Sequence, residues 1–188
     1  MAGPESNRMN CQTLTEIAEQ KENMMSKSEK NLWEAFAGES QANRKYLAFA
    51  EKADRDGYAQ VAKLFRAAAY AETIHAHAHL RALKGIRDTD ENLKEAIAGE
   101  THEFKEMYPD MIQDAKEEGN KAAERTFTYA NEVEKVHADL YQKALDELEN
   151  PTEADYYVCK VCGYTCENEA PDKCPVCGAN SNAFVKTD

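Results

Sequence analysis

The sequence predicts an all-α fold, a four-helix bundle, followed by a small β-rich module that carries four cysteines. Three observations support this prediction. Apolar residues recur at spacings of three and four along four long segments of the chain. The first half of the helical region is repeated in the second half, including its glutamate and histidine residues. The segment after Asn150-Pro151 has a different composition and holds two Cys-x-x-Cys pairs.

The composition limits the class of protein. The 188 residues carry a formal net charge of −12, which disfavours nucleic acid and anionic lipid as partners because both require a basic face. No apolar run approaches the roughly 20 residues of a membrane span. The N-terminus lacks the basic start and apolar stretch of a secretory signal. We therefore expect a cytoplasmic protein without nucleic-acid or membrane partners.

Turn signals divide the helical region into four predicted helices. The apolar pattern is interrupted at Asp56-Gly57, at Gly85 and at Gly119, and such residues are typical of turns and helix ends. Pro109 lies inside the third segment and should kink or locally open that helix, because proline lacks a backbone N–H. The first predicted helix runs from about Ser28, as N-cap, to Asp54, and the second from Tyr58 to Leu83. The third runs from a cap at Thr89 or Asp90 towards Gly119, and the fourth from there to about Leu148.

These elements predict four parts of the chain. The first part is polar and weakly patterned, and we expect it to be flexible. The helical bundle is long enough to bury a substantial core. The cysteine module is too small for this and needs additional stabilisation, such as a bound metal ion. The predicted parts are the flexible tail at 1–27, the bundle at 28–149, a linker at 150–155 and the cysteine module at 156–188.

One set of glutamate and histidine residues occurs twice in the helical region. The first glutamate recurs after 61 residues, and the Glu-x-x-His pair recurs after 62. Residues three apart on a helix project from the same face, so each pair presents its two side chains together. Distances counted from the turns place the four glutamates within roughly one helical turn of the same level. The members are Glu39, Glu72 and His75 in the first half and Glu100, Glu134 and His137 in the second.

These residues indicate a site for two metal ions. A charged carboxylate on an apolar stripe costs several kcal/mol unless it is paired or bound to metal. Carboxylates with two imidazoles suit iron or manganese. A Glu from each of two helices plus Glu-x-x-His from each of the other two is a ligand set for two iron ions in helix bundles. A single Glu-x-x-His pair is common on solvated faces, but a repeated pair on apolar stripes favours the metal site.

Glu103 breaks the repeat, because Ala42 stands at the equivalent position of the first half. It shares a helix face with Glu100, three residues earlier. The extra carboxylate on one side should make the two metal ions inequivalent. We hypothesise that one iron exchanges ligands between Glu103 and His75.

The C-terminal module offers a second metal site. Each Cys-x-x-Cys turn is followed by a glycine and supplies two thiolates, and four thiolates in a tetrahedron bind zinc or a single iron. The spacing alone does not decide between these metals. Cys11 and Cys166 lie outside the spacing, and we expect both to be free thiols. The predicted ligands are Cys159, Cys162, Cys174 and Cys177.

The two parts together resemble rubrerythrin, a family that joins a ferritin-like di-iron domain to a rubredoxin-like domain. Three features carry the resemblance, which covers about 29–188: the segment 35–42, which reads AFAGESQA, the segment 106–109, which reads EMYP, and the paired cysteine turns. The tail at 1–27 lies outside the match. The resemblance implies a ferritin-like bundle and one iron held by the four cysteines.

The resemblance also implies an activity, the reduction of hydrogen peroxide to water in defence against oxidative stress. The cysteine-bound iron would return electrons to the di-iron centre, supplied by a separate reductase that draws on NAD(P)H, or by a rubredoxin. It further implies seven iron ligands and two tyrosines beside the carboxylates. These residues are Glu39, Glu72, His75, Glu100, Glu103, Glu134 and His137 as ligands, with Tyr46 and Tyr108.

The short link between the second and third helices predicts how chains assemble. A second helix of about 26 residues is roughly 39 Å long, whereas the link at about Lys84–Thr89 spans only roughly 20 Å when extended. A crossover along the bundle within one chain does not fit this length. Either the bundle runs up-down-up-down, or two chains exchange helix pairs. We favour the homodimer with exchanged helix pairs.

Two other functions remain open on the sequence. One is a ferritin-like ferroxidase that oxidises iron for storage, although storage does not need an attached electron donor. The other is a non-enzymatic helical protein whose cysteine module is a zinc ribbon. Zinc and no visible absorbance would indicate the second alternative.

Overall fold

The computed structural model describes residues 25–187 of the chain. The described residues belong to two compact units, one that ends at Ile86 and one that begins at Arg87. The predicted tail at 1–27 lies outside the described residues except for its last three positions, and Cys11 lies outside them entirely.

The first unit is a pair of helices, α1 at Lys27–Arg55 and α2 at Ala59–Ala82. Ser26 is the N-cap of α1. Its hydroxyl accepts a hydrogen bond from the backbone N–H of Glu29 at 3.2 Å, and the Glu29 carboxylate accepts one from the Ser26 N–H at 2.8 Å. The predicted cap at Ser28 is therefore wrong by two residues, because a capping box needs its acid three positions after the cap.

Small residues line the contact between α1 and α2. Alanine has no side chain beyond Cβ, so it lets two helix backbones approach closely. The turn between the helices contains Gly57 at a φ of 85°, a left-handed conformation that glycine adopts without strain. The buried alanines of this unit are Ala50, Ala53, Ala62, Ala69 and Ala76.

The second unit begins with three helices. Its third helix starts after the N-cap Asn120, whose side chain accepts a hydrogen bond from the N–H of Ala123 at 3.1 Å. Its first helix starts after Asp88, slightly earlier than the predicted caps at Thr89 or Asp90. The bounds are Thr89–His102 for α3, Tyr108–Glu117 for α4 and Lys121–Asp146 for α5.

A π-helical turn at Glu103–Met107 joins α3 to α4. The backbone N–H of Tyr108 bonds to the carbonyl oxygen of Glu103, five residues earlier, which is the bonding pattern of a wider helix turn. Pro109 follows immediately. The predicted local opening of this helix is therefore confirmed, and it takes the form of one wide turn rather than a break.

The end of the second unit is a small antiparallel sheet of β1 at Tyr156–Cys159, β2 at Thr165–Glu167 and β3 at Phe184–Thr187, in the order β2-β1-β3. Gly163 and Gly178 have φ angles of 86° and 74°. Each glycine directly follows a cysteine, so the left-handed backbone turns the chain back after each Cys-x-x-Cys pair.

The predicted fold class is confirmed: long helices precede a small β-rich module with four cysteines. The helix boundaries agree with the prediction to within about two residues. Among residues 25–187, no helix combines the length and the apolar character needed to cross a membrane.

Candidate metal centres

The first unit holds a cluster of two glutamates and one histidine. Glu39 projects from α1, while Glu72 and His75 lie one turn apart on α2. The Nδ1 atom of His75 is 3.0 Å from Oε2 of Glu72 and 4.0 Å from Oε1 of Glu39. One ligand atom from each residue lies within 4.8 Å of the others, so the three side chains can bind one metal ion together.

The second unit holds the equivalent cluster. Glu100 projects from α3, while Glu134 and His137 lie one turn apart on α5. The Nδ1 atom of His137 is 2.7 Å from Oε2 of Glu134 and 3.9 Å from Oε1 of Glu100. The His137 side chain is 28% exposed, against 56% for His75. The sequence repeat therefore appears as two clusters with the same residue types and nearly the same distances.

Burial and the charge of a neighbouring carboxylate raise the pKa of two acids in this unit, Glu100 and Glu103. Burial, followed by the charge of Glu134, raises the pKa of Glu100 to about 7. The pKa of Glu103 is raised by the same two causes in the same order. Carboxylates in such surroundings favour either protonation or a bound cation. This chemistry fits divalent metal ions, which neutralise several carboxylates at once.

The π-helical turn accounts for the one-residue difference in spacing between the two halves of the repeat. Glu72 follows Glu39 by 33 residues, whereas Glu134 follows Glu100 by 34. A π-helical turn takes up one extra residue without breaking the helix, and Glu103 is its first residue. Glu103 lies outside the cluster whose ligand atoms meet within 4.8 Å, but the Glu134 charge acts on its carboxyl group. Two signals in the sequence point to this turn: Pro109 just after it, and the change from 61 to 62 in the repeat.

The two tyrosines have different surroundings. Tyr108 begins α4 and packs against Phe127 of α5, with ring centroids 6.2 Å apart. Burial and then the charges of the nearby glutamates, Glu103 first, raise the pKa of the Tyr108 hydroxyl. Tyr46 belongs to the first unit and packs against Phe65 and Phe49 at 6.1 and 6.4 Å. The structure therefore brings Tyr108 close to acids of the second cluster.

The four predicted cysteines converge in the module. The Sγ atoms of Cys159 and Cys177 are 3.7 Å apart, and those of Cys162 and Cys174 are 3.5 Å apart. A disulfide would need about 2.05 Å, whereas thiolates around a tetrahedral ion with bonds of about 2.3 Å lie roughly 3.8 Å apart. The distances therefore fit a metal site.

Two further residues of the cysteine module, Cys166 and Thr165, make side-chain contacts near the metal centres. Cys166 is a free thiol that contacts the carbonyl oxygen of Glu169 at 3.4 Å. Thr165 of β2 lies 3.1 Å from Nε2 of His137. Sequence reasoning missed the Thr165 contact, because nothing in the local sequence predicts which strand residue packs on α5.

Comparison with known proteins gives the same two parts. A family model described as rubrerythrin matches residues 30–145, and one described as the rubrerythrin rubredoxin-like domain matches residues 157–185. Rubrerythrin-2 of Clostridium acetobutylicum is 39% identical over 167 residues, which cover 80% of this chain and 91% of that protein. Nigerythrin of Nitratidesulfovibrio vulgaris is 37% identical over 169 residues, which cover 82% and 84%.

A solved structure of nigerythrin in a mixed-valence state is also similar. It has a TM-score of 0.53 and 35% sequence identity, over 87% of this chain and 88% of that chain. Another solved structure shows nigerythrin fully reduced, with all iron ferrous, at the same TM-score of 0.53. The chain therefore belongs to the rubrerythrin family, with a di-iron carboxylate site and a four-cysteine rubredoxin-like iron site.

Proposed function

We propose that this protein reduces hydrogen peroxide to water at its di-iron site, as a defence against oxidative stress. The observation that carries the proposal is the presence in one chain of two matching Glu/Glu/His clusters and a four-thiolate site. The rubrerythrin family consists generally of oxidoreductases, and iron held by thiolates can carry electrons. We expect the electrons to come from NAD(P)H through a separate reductase, or from a rubredoxin, in the cytoplasm.

The proposed residues are those expected from the sequence. The two clusters contribute six ligands, and Glu103 contributes a seventh from the π-helical turn. Each cluster alone provides only three residues, so a complete di-iron site needs both. The proposed ligands are Glu39, Glu72, His75, Glu100, Glu103, Glu134 and His137 for the di-iron site, and Cys159, Cys162, Cys174 and Cys177 for the single iron.

Reduction of one hydrogen peroxide molecule to two water molecules consumes two electrons and two protons. Two ferrous ions, when bound, supply both electrons together, which avoids the hydroxyl radical that one-electron reduction releases. The carboxylates would bind the two ions and neutralise their positive charge. Because the pKa of Tyr108 is raised by burial and by neighbouring acids, its Oη keeps its proton at neutral pH. We propose that Oη of Tyr108 donates a hydrogen bond to a peroxide oxygen, and that the hydroxyl of Tyr46, in the first unit, donates one at the same site.

We also propose that two chains exchange helix pairs to build the di-iron sites. The link between α2 and α3 covers residues 83–88, which reach roughly 20 Å when extended, whereas the 24 residues of α2 are about 36 Å long. The first unit exposes large apolar side chains that a pair of helices cannot bury alone. Examples are Trp33 at 42%, Phe49 at 47%, Leu64 at 68% and Ile74 at 51% exposure.

Complementation between two inactive variants tests the exchange. Glu72→Ala disables the first cluster of one chain, and Glu134→Ala disables the second cluster of the other. In a dimer with exchanged helix pairs, the mixed dimer contains one site with both lesions and one intact site. Co-expression should therefore restore activity to a tagged and purified mixed dimer. If each chain builds its own site, every site carries one lesion and no activity returns.

Stopped-flow oxidation of the fully reduced protein tests the enzymatic proposal. Hydrogen peroxide should oxidise the di-iron site rapidly and with a stoichiometry of one peroxide per site, and Glu100→Ala should slow the reaction. Equal rates with dioxygen would instead favour the ferroxidase alternative. Zinc in the thiolate site of protein purified without oxygen, together with an iron-free helical region, would favour a non-enzymatic protein.

A further inference from the structure

We propose that Thr165, a residue of the cysteine module, is a positioning residue that fixes the orientation and tautomer of the His137 imidazole. The four-cysteine module would then have two roles. It carries electrons, and it also holds a ligand of the di-iron site in place. This inference rests on the proposed role of His137 as a ligand, but not on peroxide reduction.

Hydrogen bonding determines which nitrogen of His137 carries the proton. The Thr165 hydroxyl donates its single proton to the carbonyl oxygen of Gly163, 3.1 Å away, because that oxygen only accepts. Towards His137, 3.1 Å away, the Thr165 oxygen must therefore accept, so Nε2 carries the hydrogen. The opposite nitrogen, Nδ1, lies 2.7 Å from Oε2 of Glu134, a distance that requires a proton or a cation between the two atoms, and a bound cation there meets the Nδ1 lone pair. This is the tautomer that binds a cation beside the carboxylates.

The carbonyl that orients Thr165 is itself held in place. Gly163 directly follows the thiolate residue Cys162 and has a φ of 86°, so the fold of the cysteine turn sets the direction of this peptide. A Cβ atom on Gly163 would lie 3.7 Å from Cγ1 of Val133, and Val133 is 2% exposed. The turn therefore packs against α5 four residues before His137.

Three contacts in register attach the module to α5. Thr165 and Glu167 are alternate residues of β2, so both point to the same side of the strand, and this side faces α5. Gly163, in the turn before β2, also lies against this helix. Val133 packs at the first position, His137 bonds at the second, and the third forms an ion pair in which Nζ of Lys143 lies 2.7 Å from Oε2 of Glu167. A contact repeated at three successive points holds the Thr165 oxygen against the His137 ring.

Ferrous ion binding by position-165 variants tests this proposal. Thr165→Val keeps the shape of the side chain but removes the acceptor oxygen, whereas Thr165→Ser keeps that oxygen. Loss of a hydrogen-bond partner to a ligating histidine typically costs 10–100-fold in metal affinity. We expect Thr165→Val to lose about 10-fold or more in ferrous affinity at the di-iron site, measured anaerobically against a competing chelator. Thr165→Ser should remain close to the unsubstituted protein.

A spectroscopic readout follows the hydrogen bond itself. In the di-ferrous protein, the Nε2–H proton of His137 gives a strongly shifted and exchangeable NMR signal, identified by its loss in His137→Ala. It should exchange slowly with solvent in the unsubstituted protein and faster in Thr165→Val. Rapid exchange in the unsubstituted protein would overturn the proposal, whatever the folding of the variant.

The remaining outcomes separate this inference from the proposed function. The visible absorbance of the four-cysteine iron is the control that reports whether the module stays folded in both variants. If Thr165→Val binds ferrous ions as tightly as the unsubstituted protein, or if valine and serine weaken binding equally, the acceptor oxygen is not the positioning group. If His137→Ala leaves ferrous affinity unchanged, the ligand assignment itself fails and this inference fails with it.

Discussion

Glu134 and His137 lie one helical turn apart on α5, with Oε2 of Glu134 only 2.7 Å from Nδ1 of His137. Glu72 and His75 repeat this relationship on α2 at 3.0 Å. An isolated pair of this kind is an ordinary surface contact. Two such pairs, each joined by a further glutamate from another helix, give each half of the chain the same set of metal-binding atoms.

Removal of a glutamate from either cluster should release iron from the helical region. We expect Glu134→Ala to lower the ferrous affinity of the di-iron site by more than the roughly 10–100-fold that follows from losing a partner outside the ligand set. Iron analysis and the spectrum of the thiolate site measure the two centres separately. Glu132→Ala is the matched control, since Glu132 is an exposed residue of the same helix. Equal iron loss in both variants would contradict the assignment.

The metal-free protein should lose stability as the pH rises. Burial and the charge of Glu134 raise the pKa of Glu100 to about 7, above its ordinary value of 4.5. Folding therefore favours the protonated carboxyl group, and this stabilisation is complete below about pH 4.5 and lost as the pH rises through about 7. Thermal unfolding between pH 5 and pH 8, followed by circular dichroism, should show this decline. Glu100→Gln should flatten it, and bound ferrous ions should remove it. An unchanged slope in Glu100→Gln would contradict the role of Glu100.

The helices and the two clusters were predictable because they depend on local spacing. A three-residue interval on a helix fixes which side chains share a face, so Glu72/His75 and Glu134/His137 needed no tertiary information. Turn residues then located the helix ends to within about two positions. The assignment of all seven residues to one di-iron site stays a prediction.

Two features depended on information that the local pattern lacks. Pro109 indicates a local opening of the third predicted helix, but the π-helical form of the turn at Glu103–Met107 appears in the sequence only as a one-residue difference between the two repeats. The contact between His137 and Thr165 joins a helix to a strand 28 residues later. Its existence depends on how the module packs on α5, which neither helical spacing nor the cysteine spacing specifies.

Glu103 should make the two ferrous ions inequivalent. It is the one proposed ligand without an equivalent acid in the other half of the repeat. Burial and then the charge of Glu134 raise the pKa of its carboxyl group. In Glu103→Ala, we expect the two ferrous Mössbauer signals to become more alike while both ions remain bound. The control is Glu106→Ala, because Glu106 lies in the same π-helical turn but pairs with the exposed His102 at 3.2 Å. Signals that stay distinct in Glu103→Ala would show that the inequivalence has another source.

Loss of one thiolate ligand should abolish steady-state peroxide reduction but leave a single oxidation of the reduced di-iron site intact. Cys162→Ser removes a proposed ligand of the single iron, whereas Cys166→Ser removes a thiol that lies outside the four-cysteine cluster. We expect Cys162→Ser to lose the visible absorbance of the thiolate iron, and Cys166→Ser to keep it. Chemically reduced Cys162→Ser should still oxidise once with hydrogen peroxide, because its di-iron ligands are intact. Steady-state peroxide reduction with a reductase should fall to background, because electrons no longer return through the module. Undiminished steady-state activity would mean that electrons reach the di-iron site by another route.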